Sequence, residues 1–166
     1  MLTDLGPQLD ANAVDYQVTE VDTPIHPKNQ ALLVYWRSKA DAEGIVHRRD
    51  VDPVDLKKVL GGMFIVEPVD DGADLLYRLV GSQNERRLGM KCMGRRFTQC
   101  YAAGMAAEQI AFHARVFASG KPAFLRGRLL GLDLEYVNFE ASYLPIRAES
   151  GGHQMLGGMY DLAEPA

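Results

Sequence analysis

Residues 74–97 read DLLYRLVGSQNERRLGMKCMGRRF, and the rest of the chain is organised around them. From Leu75 to Val80 the residues swap sides with period two, which predicts a strand that stops at Gly81. Ser82 offers a hydroxyl to the open amides of a following helix, and Glu85, three residues on, completes a capping box. That short helix ends at Gly89, and Gly94-Arg95-Arg96-Phe97 makes a compact turn.

Upstream, Met63-Phe64-Ile65-Val66 reads as a buried strand, with Asp70-Asp71-Gly72 as the hairpin turn into Leu75. Before it, Asp52 caps a helix over residues 53–60 that carries Pro53 in its first position and ends at Gly61-Gly62. His47-Arg48-Arg49-Asp50 is a solvated connection, since no glycine-rich cradle accompanies the arginines. Leu32, Leu33, Trp36 and Ala40 recur at helical spacing within an amphipathic helix over residues 27–42. The stretch 1–26 is rich in Asp, Pro and Gly and is expected to be an arm attached to a single domain over 27–166. Downstream, Tyr101–Ser119 is the longest helix, closed by Gly120 and Pro122. Three strands follow, over residues 123–130, 134–146 and 154–162, joined by hairpin-like turns.

The length of 166 residues suits one domain. A net charge of -4 and a pI near 5.5 supply no basic field for nucleic acid or an acidic membrane, so the expected partners are proteins or small molecules. The opening MLTDLGPQLD has neither a basic nor an apolar leader region, and no apolar run approaches the ~20 residues that span a bilayer. Cys92 and Cys100 have no zinc-ligand spacing, which fits a reduced, cytoplasmic setting and no metal site.

Two helices, two strands, a short and a long helix, then three antiparallel strands is an order that resembles the PAS domain. Tyr77-Arg78-Leu79-Val80-Gly81, followed by Gly89 and Gly94-Arg95, is similar to the motif of a bacterial family of small stand-alone PAS-like proteins. That family also places a Tyr-Trp helix, here Tyr35-Trp36, and an Asp-x-Asp-Pro segment, here Asp50 to Pro53, ahead of the first strand. The likeness covers about residues 28 to 162. It implies an α+β fold: a five-stranded antiparallel sheet with helices covering one face, plus the N-terminal helices. It also implies a ligand pocket between the long helix and the inner sheet face.

A helical wheel places Gln109 and His113 one turn apart in the middle of the apolar arc of the long helix, beside Phe117. A buried polar group without a partner costs on the order of 1–3 kcal/mol, so either the fold or a ligand must satisfy them. Val137, Phe139, Ala141 and Tyr143 form the apolar side of the next-to-last strand. The candidate ligand contacts are therefore Gln109, His113, Phe117, Phe139 and Tyr143. Some PAS sensors ligate haem through a histidine on the corresponding helix, and His113 alone, without a second motif, does not define such a site. Light-sensing relatives carry a flavin-reactive cysteine in Gly-x-Asn-Cys-Arg-Phe-Leu-Gln; Gly89-Met90-Lys91-Cys92-Met93 departs from it at Lys91 and Met93. No cofactor is assigned, haem and flavin being the less supported alternatives.

Tyr136, Asn138, Glu140 and Ser142 form the other side of that strand, and Arg126 or Arg128 can pair across the hairpin with Glu140 or Asn138. This outer face is read either as a solvated surface with ordinary ion pairs or as a dimer or partner surface. In the second reading Trp36, Phe124, Arg126, Arg128 and Tyr136 belong to it. There is no GxSxG elbow, HExxH motif, P-loop or GxGxxG after a strand. The expectation is a cytoplasmic single-domain sensor or adaptor that binds a small molecule or a protein and signals through association as a homodimer, because the chain ends a few residues after its last strand. The alternatives are an enzyme with a cone-shaped fold like ketosteroid isomerase, which needs an inward acid or base, and a ligand-free interaction domain.

Overall fold

The computed structural model describes residues 14–131, 133 and 137–162. Its elements are β1 (Asp15–Val21), α1 (Pro27–Ser38), β2 (Met63–Val69), β3 (Asp74–Val80), α2 (Ser82–Leu88), α3 (Phe97–Cys100), α4 (Ala103–Ser119), β4 (Ala123–Leu130), β5 (Asn138–Arg147) and β6 (His153–Asp161). The strands form one antiparallel sheet in the order β1-β4-β5-β6-β2-β3.

The α+β architecture is the expected one, with six strands instead of five. The extra strand comes from the stretch read as an arm: Asp15 pairs with Leu130 and Val21 with Phe124, which adds β1 to the edge of the sheet beside β4. Glycine permits this approach, since a Cβ on Gly127 would collide with the Gln17 carbonyl oxygen. The other edge, β3, is covered by the turn after α2, where the Tyr77 amide donates to the Arg95 carbonyl and the Gly94 amide to the Tyr77 carbonyl.

The helix over 27–42 is shorter, ending at Ser38, and residues 53–60 form 3-10 turns over Pro53–Leu56 and Leu60–Gly62. Asp52 caps the first turn as expected, its carboxylate accepting from the Val54 amide at 2.9 Å. Ser82 is not the cap of α2; Gly81 holds that position in extended conformation. Glu85 instead accepts from the Cys92 amide at 2.8 Å and so ties down the chain beyond the helix. Asp70 and Asp71 both adopt φ of 54°, the left-handed region that Asp tolerates, and turn the β2–β3 hairpin.

The sheet is buried on both faces. Inward, Phe64, Tyr77, Leu125, Phe139 and Tyr143 pack against α2, α3 and α4. Outward, Ile65, Phe124, Leu144, Ile146, Leu156 and Tyr160 pack against Leu32, Leu33 and Trp36 of α1 and against Val46, Val51, Leu56 and Val59. The outer face is thus a second core, neither the solvated face nor the open partner surface expected of it.

Candidate functional site

Between α4 and the inner sheet face lies a cavity of about 50 Å³, space for a few waters. Its walls are mostly apolar and aromatic, Phe64, Phe97, Leu129 and Phe139 among them, and a few polar groups converge on it: Tyr16, Gln109 and Tyr143 on one side, Tyr77 and Tyr101 on another. Gln109 Nε2 donates to the Tyr16 hydroxyl at 3.2 Å. Burial raises the Tyr143 hydroxyl, offset in part by the nearby Gln109 amide, and burial likewise raises that of Tyr16. The Tyr77 and Tyr101 hydroxyls bond each other, and desolvation pushes both well above the ordinary phenol range. At neutral pH this wall offers uncharged hydroxyls and the side-chain amides of Gln109 and Asn84, with no carboxylate among its described residues.

His113 is fully buried one turn beyond Gln109, yet it does not line the cavity. Its Nδ1 lies 2.8 Å from the Gln109 carbonyl oxygen, which can only accept, so the proton sits on Nδ1. Nε2 has no partner and is surrounded by the rings of Phe97, Phe112, Phe117 and Tyr143. Burial pushes the imidazole down to about 4.

A second space, an open cleft of about 320 Å³, lies outside the cavity between α2 and the ends of the strands. It is lined by Gln83, Arg86, Arg87, Leu129, Val137, Phe139 and Asp161. Leu129 and Phe139 line both spaces and form their common wall. Arg87 is committed: one Nη donates to Asn84 Oδ1 at 2.8 Å and the other to Asp161 Oδ1 at 2.7 Å. The Arg86 side chain is exposed and makes no hydrogen bond or ion pair with any described residue.

Of the residues singled out from sequence, Gln109, Phe139 and Tyr143 meet at the cavity. His113 stands behind them, and Phe117 lies farther along α4, stacked on His153 at 5.0 Å. The proposed partner surface is not assembled. Trp36 and Phe124 are buried, and the Trp36 Nε1 donates to the Pro145 carbonyl at 2.8 Å. Arg126 does pair across the hairpin with Glu140, at 2.8 Å, but the Glu140 carboxylate is itself fully buried, accepting also from the Ile25 and His26 amides and from Asn29. Burial alone would raise that carboxyl; these donors hold it below its ordinary value. Arg128 donates to Gln17 at 2.9 Å, and Tyr136 lies outside the described residues. Sequence reading missed Tyr16, Tyr77, Tyr101 and Arg86. For Tyr16 the signal was present, since Val14, Tyr16 and Val18 alternate with Asp15, Gln17 and Thr19.

Haem and flavin do not fit these residues. His113 lies off the cavity wall with its ring packed among aromatic rings, and Cys92 is buried outside that wall, so neither is placed to hold or react with such a group there. Among the described residues no group of three or more His, Cys, Asp or Glu could hold a metal ion, and no helix is long and apolar enough to cross a membrane.

A comparison with curated proteins gives no match. Among solved structures, the chain is similar to one described as the structure of an RNA-binding Light-Oxygen-Voltage receptor, with a TM-score of 0.48 and 14% identity. That likeness covers 89% of this chain but only 39% of the other. A family model described as a PAS domain matches residues 25–160, from the segment that Glu140 anchors to the last strand, and the chain therefore belongs to the PAS domain family.

Proposed function

We propose that this PAS domain is a cytoplasmic sensor or adaptor that binds a small molecule between α4 and the inner sheet face and reports it through protein association, as a homodimer. One observation carries the reading: the Gln109 amide and the Tyr16 and Tyr143 hydroxyls converge on an internal space whose walls are otherwise mainly apolar, the pattern of a small-molecule site. Catalysis by acid and base finds less support, because the described wall holds no carboxylate and its phenols are pushed up, away from neutral pH. Exposed Val34 of α1 and exposed Val54 line an open groove, apolar area that a second copy would cover in place of the buried outer face.

The test is mass spectrometry of what the purified protein releases on denaturation, alongside the same measurement on Gln109→Leu. A stoichiometric organic molecule that Gln109→Leu loses or exchanges supports the reading. Protein that releases nothing, even after incubation with a metabolite extract, rejects it in favour of a ligand-free interaction domain.

A further inference from the structure

We infer that the ligand is a monoanion with an apolar body, its carboxylate held by Arg86 in the outer cleft and its body directed past Leu129 and Phe139 toward the inner cavity. This rests on the small-molecule reading proposed above and names the class of molecule.

The inner cavity of about 50 Å³ is too small to be the whole site, whereas the cleft of about 320 Å³ lies within the range of ligand pockets. Leu129 and Phe139 line both and stand between them. Joining the two spaces requires the Phe139 ring to leave its place in the common wall. The joined space is polarised. Its inner end has aromatic and aliphatic walls with uncharged hydroxyls, and its outer end carries two guanidinium groups.

Those two groups differ in what they have left to give. Arg87 is neutralised by Asp161 and held by Asn84, a residue that also lines the inner cavity. Arg86, on the same turn of α2, has its donors uncommitted among the described residues. After the Arg87–Asp161 pair cancels, the described lining of the cleft keeps one positive charge in a chain of net charge -4. One open planar fork matches one carboxylate, with Gln83 beside it as a further amide donor.

The probes are octanoate and its uncharged counterpart octanol, titrated calorimetrically into the intact protein at fixed ionic strength. Octanoate is expected to bind about tenfold or more tightly than octanol, as befits a charge-assisted pair. Arg86→Gln should erase that difference and leave octanol affinity unchanged. Arg49→Gln, on an exposed turn away from the cleft, should leave both affinities unchanged. Equal binding of the two probes, indifference to Arg86→Gln, or an equal loss in Arg49→Gln overturns the head-group assignment and leaves the small-molecule reading standing. Failure of both probes to bind overturns the assignment as well, while the small-molecule reading stands or falls on the released ligand alone.

Discussion

The His113 imidazole donates from Nδ1 to the carbonyl oxygen of Gln109, 2.8 Å away, and leaves Nε2 among aromatic rings with nothing to accept from. The ring is therefore held neutral, down to about 4, by burial alone, with no neighbouring charge contributing. Between that value and the unfolded value of about 6.5 the unfolded chain binds a proton that the folded chain refuses. Stability from this group is full above pH 6.5 and is lost as pH falls toward 4, by about 3 kcal/mol in all. Denaturant titrations from pH 4 to 8 should show that slope, and His113→Leu should flatten it. A slope that survives the substitution would assign it to other groups.

Glu140 makes a second acid-sensitive contribution at lower pH. Its folded value lies below the ordinary carboxylate value, so its contribution is present above about pH 4.5 and disappears as pH falls through the folded value. Glu140→Gln removes the charge that faces Arg126 and two backbone amides, and should cost on the order of 3 kcal/mol at pH 7. Hydrogen exchange of the Ile25 and His26 amides should accelerate before that of the β5–β6 pair. Unchanged protection at Ile25 would show that α1 is docked without the carboxylate.

Gly127→Ala places a methyl group against the Gln17 carbonyl. The expected outcome is a shifted or detached β1, loss of the Tyr16 hydroxyl from Gln109, and earlier proteolysis within residues 15–21, with the remaining strands intact by circular dichroism. Resistance of 15–21 equal to the parent would show that β1 slides to accommodate the methyl.

Most of the strand and helix bounds were legible because their signals are local. β4 falls at Ala123–Leu130 as read, and α4 closes at Gly120, whose φ of 66° suits glycine. What was misread depended on distant partners. Polar Glu140 and Ser142 alternate as a solvent face would, but Asn29, more than a hundred residues away, binds both and turns that face into core. β1 hides in an Asp-rich stretch because an edge strand needs only one apolar side. Phe117 shares the apolar arc of Gln109 but stands eight residues on, ~12 Å along the axis and past the end of the cavity. A wheel records direction and not depth.

Association can be tested on the groove of α1. Val34→Glu combined with Val54→Glu adds charge to exposed apolar positions and should leave the melting temperature within a degree or two. Sedimentation at micromolar concentration should show a dimer for the parent and an 18.4 kDa species for the double variant. A parent that sediments at 18.4 kDa removes the homodimer.

The Tyr16–Gln109 contact spans 93 residues, and β1 meets β4 only after the chain through α4 has been laid down. Contacts of that separation form late, since the closure entropy of a long loop must be met before they stabilise anything. The β2–β3 and β5–β6 hairpins need no such wait. The inner cavity, which takes Tyr16 from the first strand and Met159 from the last, is complete only when both ends of the sheet are in place. The β2–β3 hairpin, closed within residues 63–80, can stand long before the cavity can.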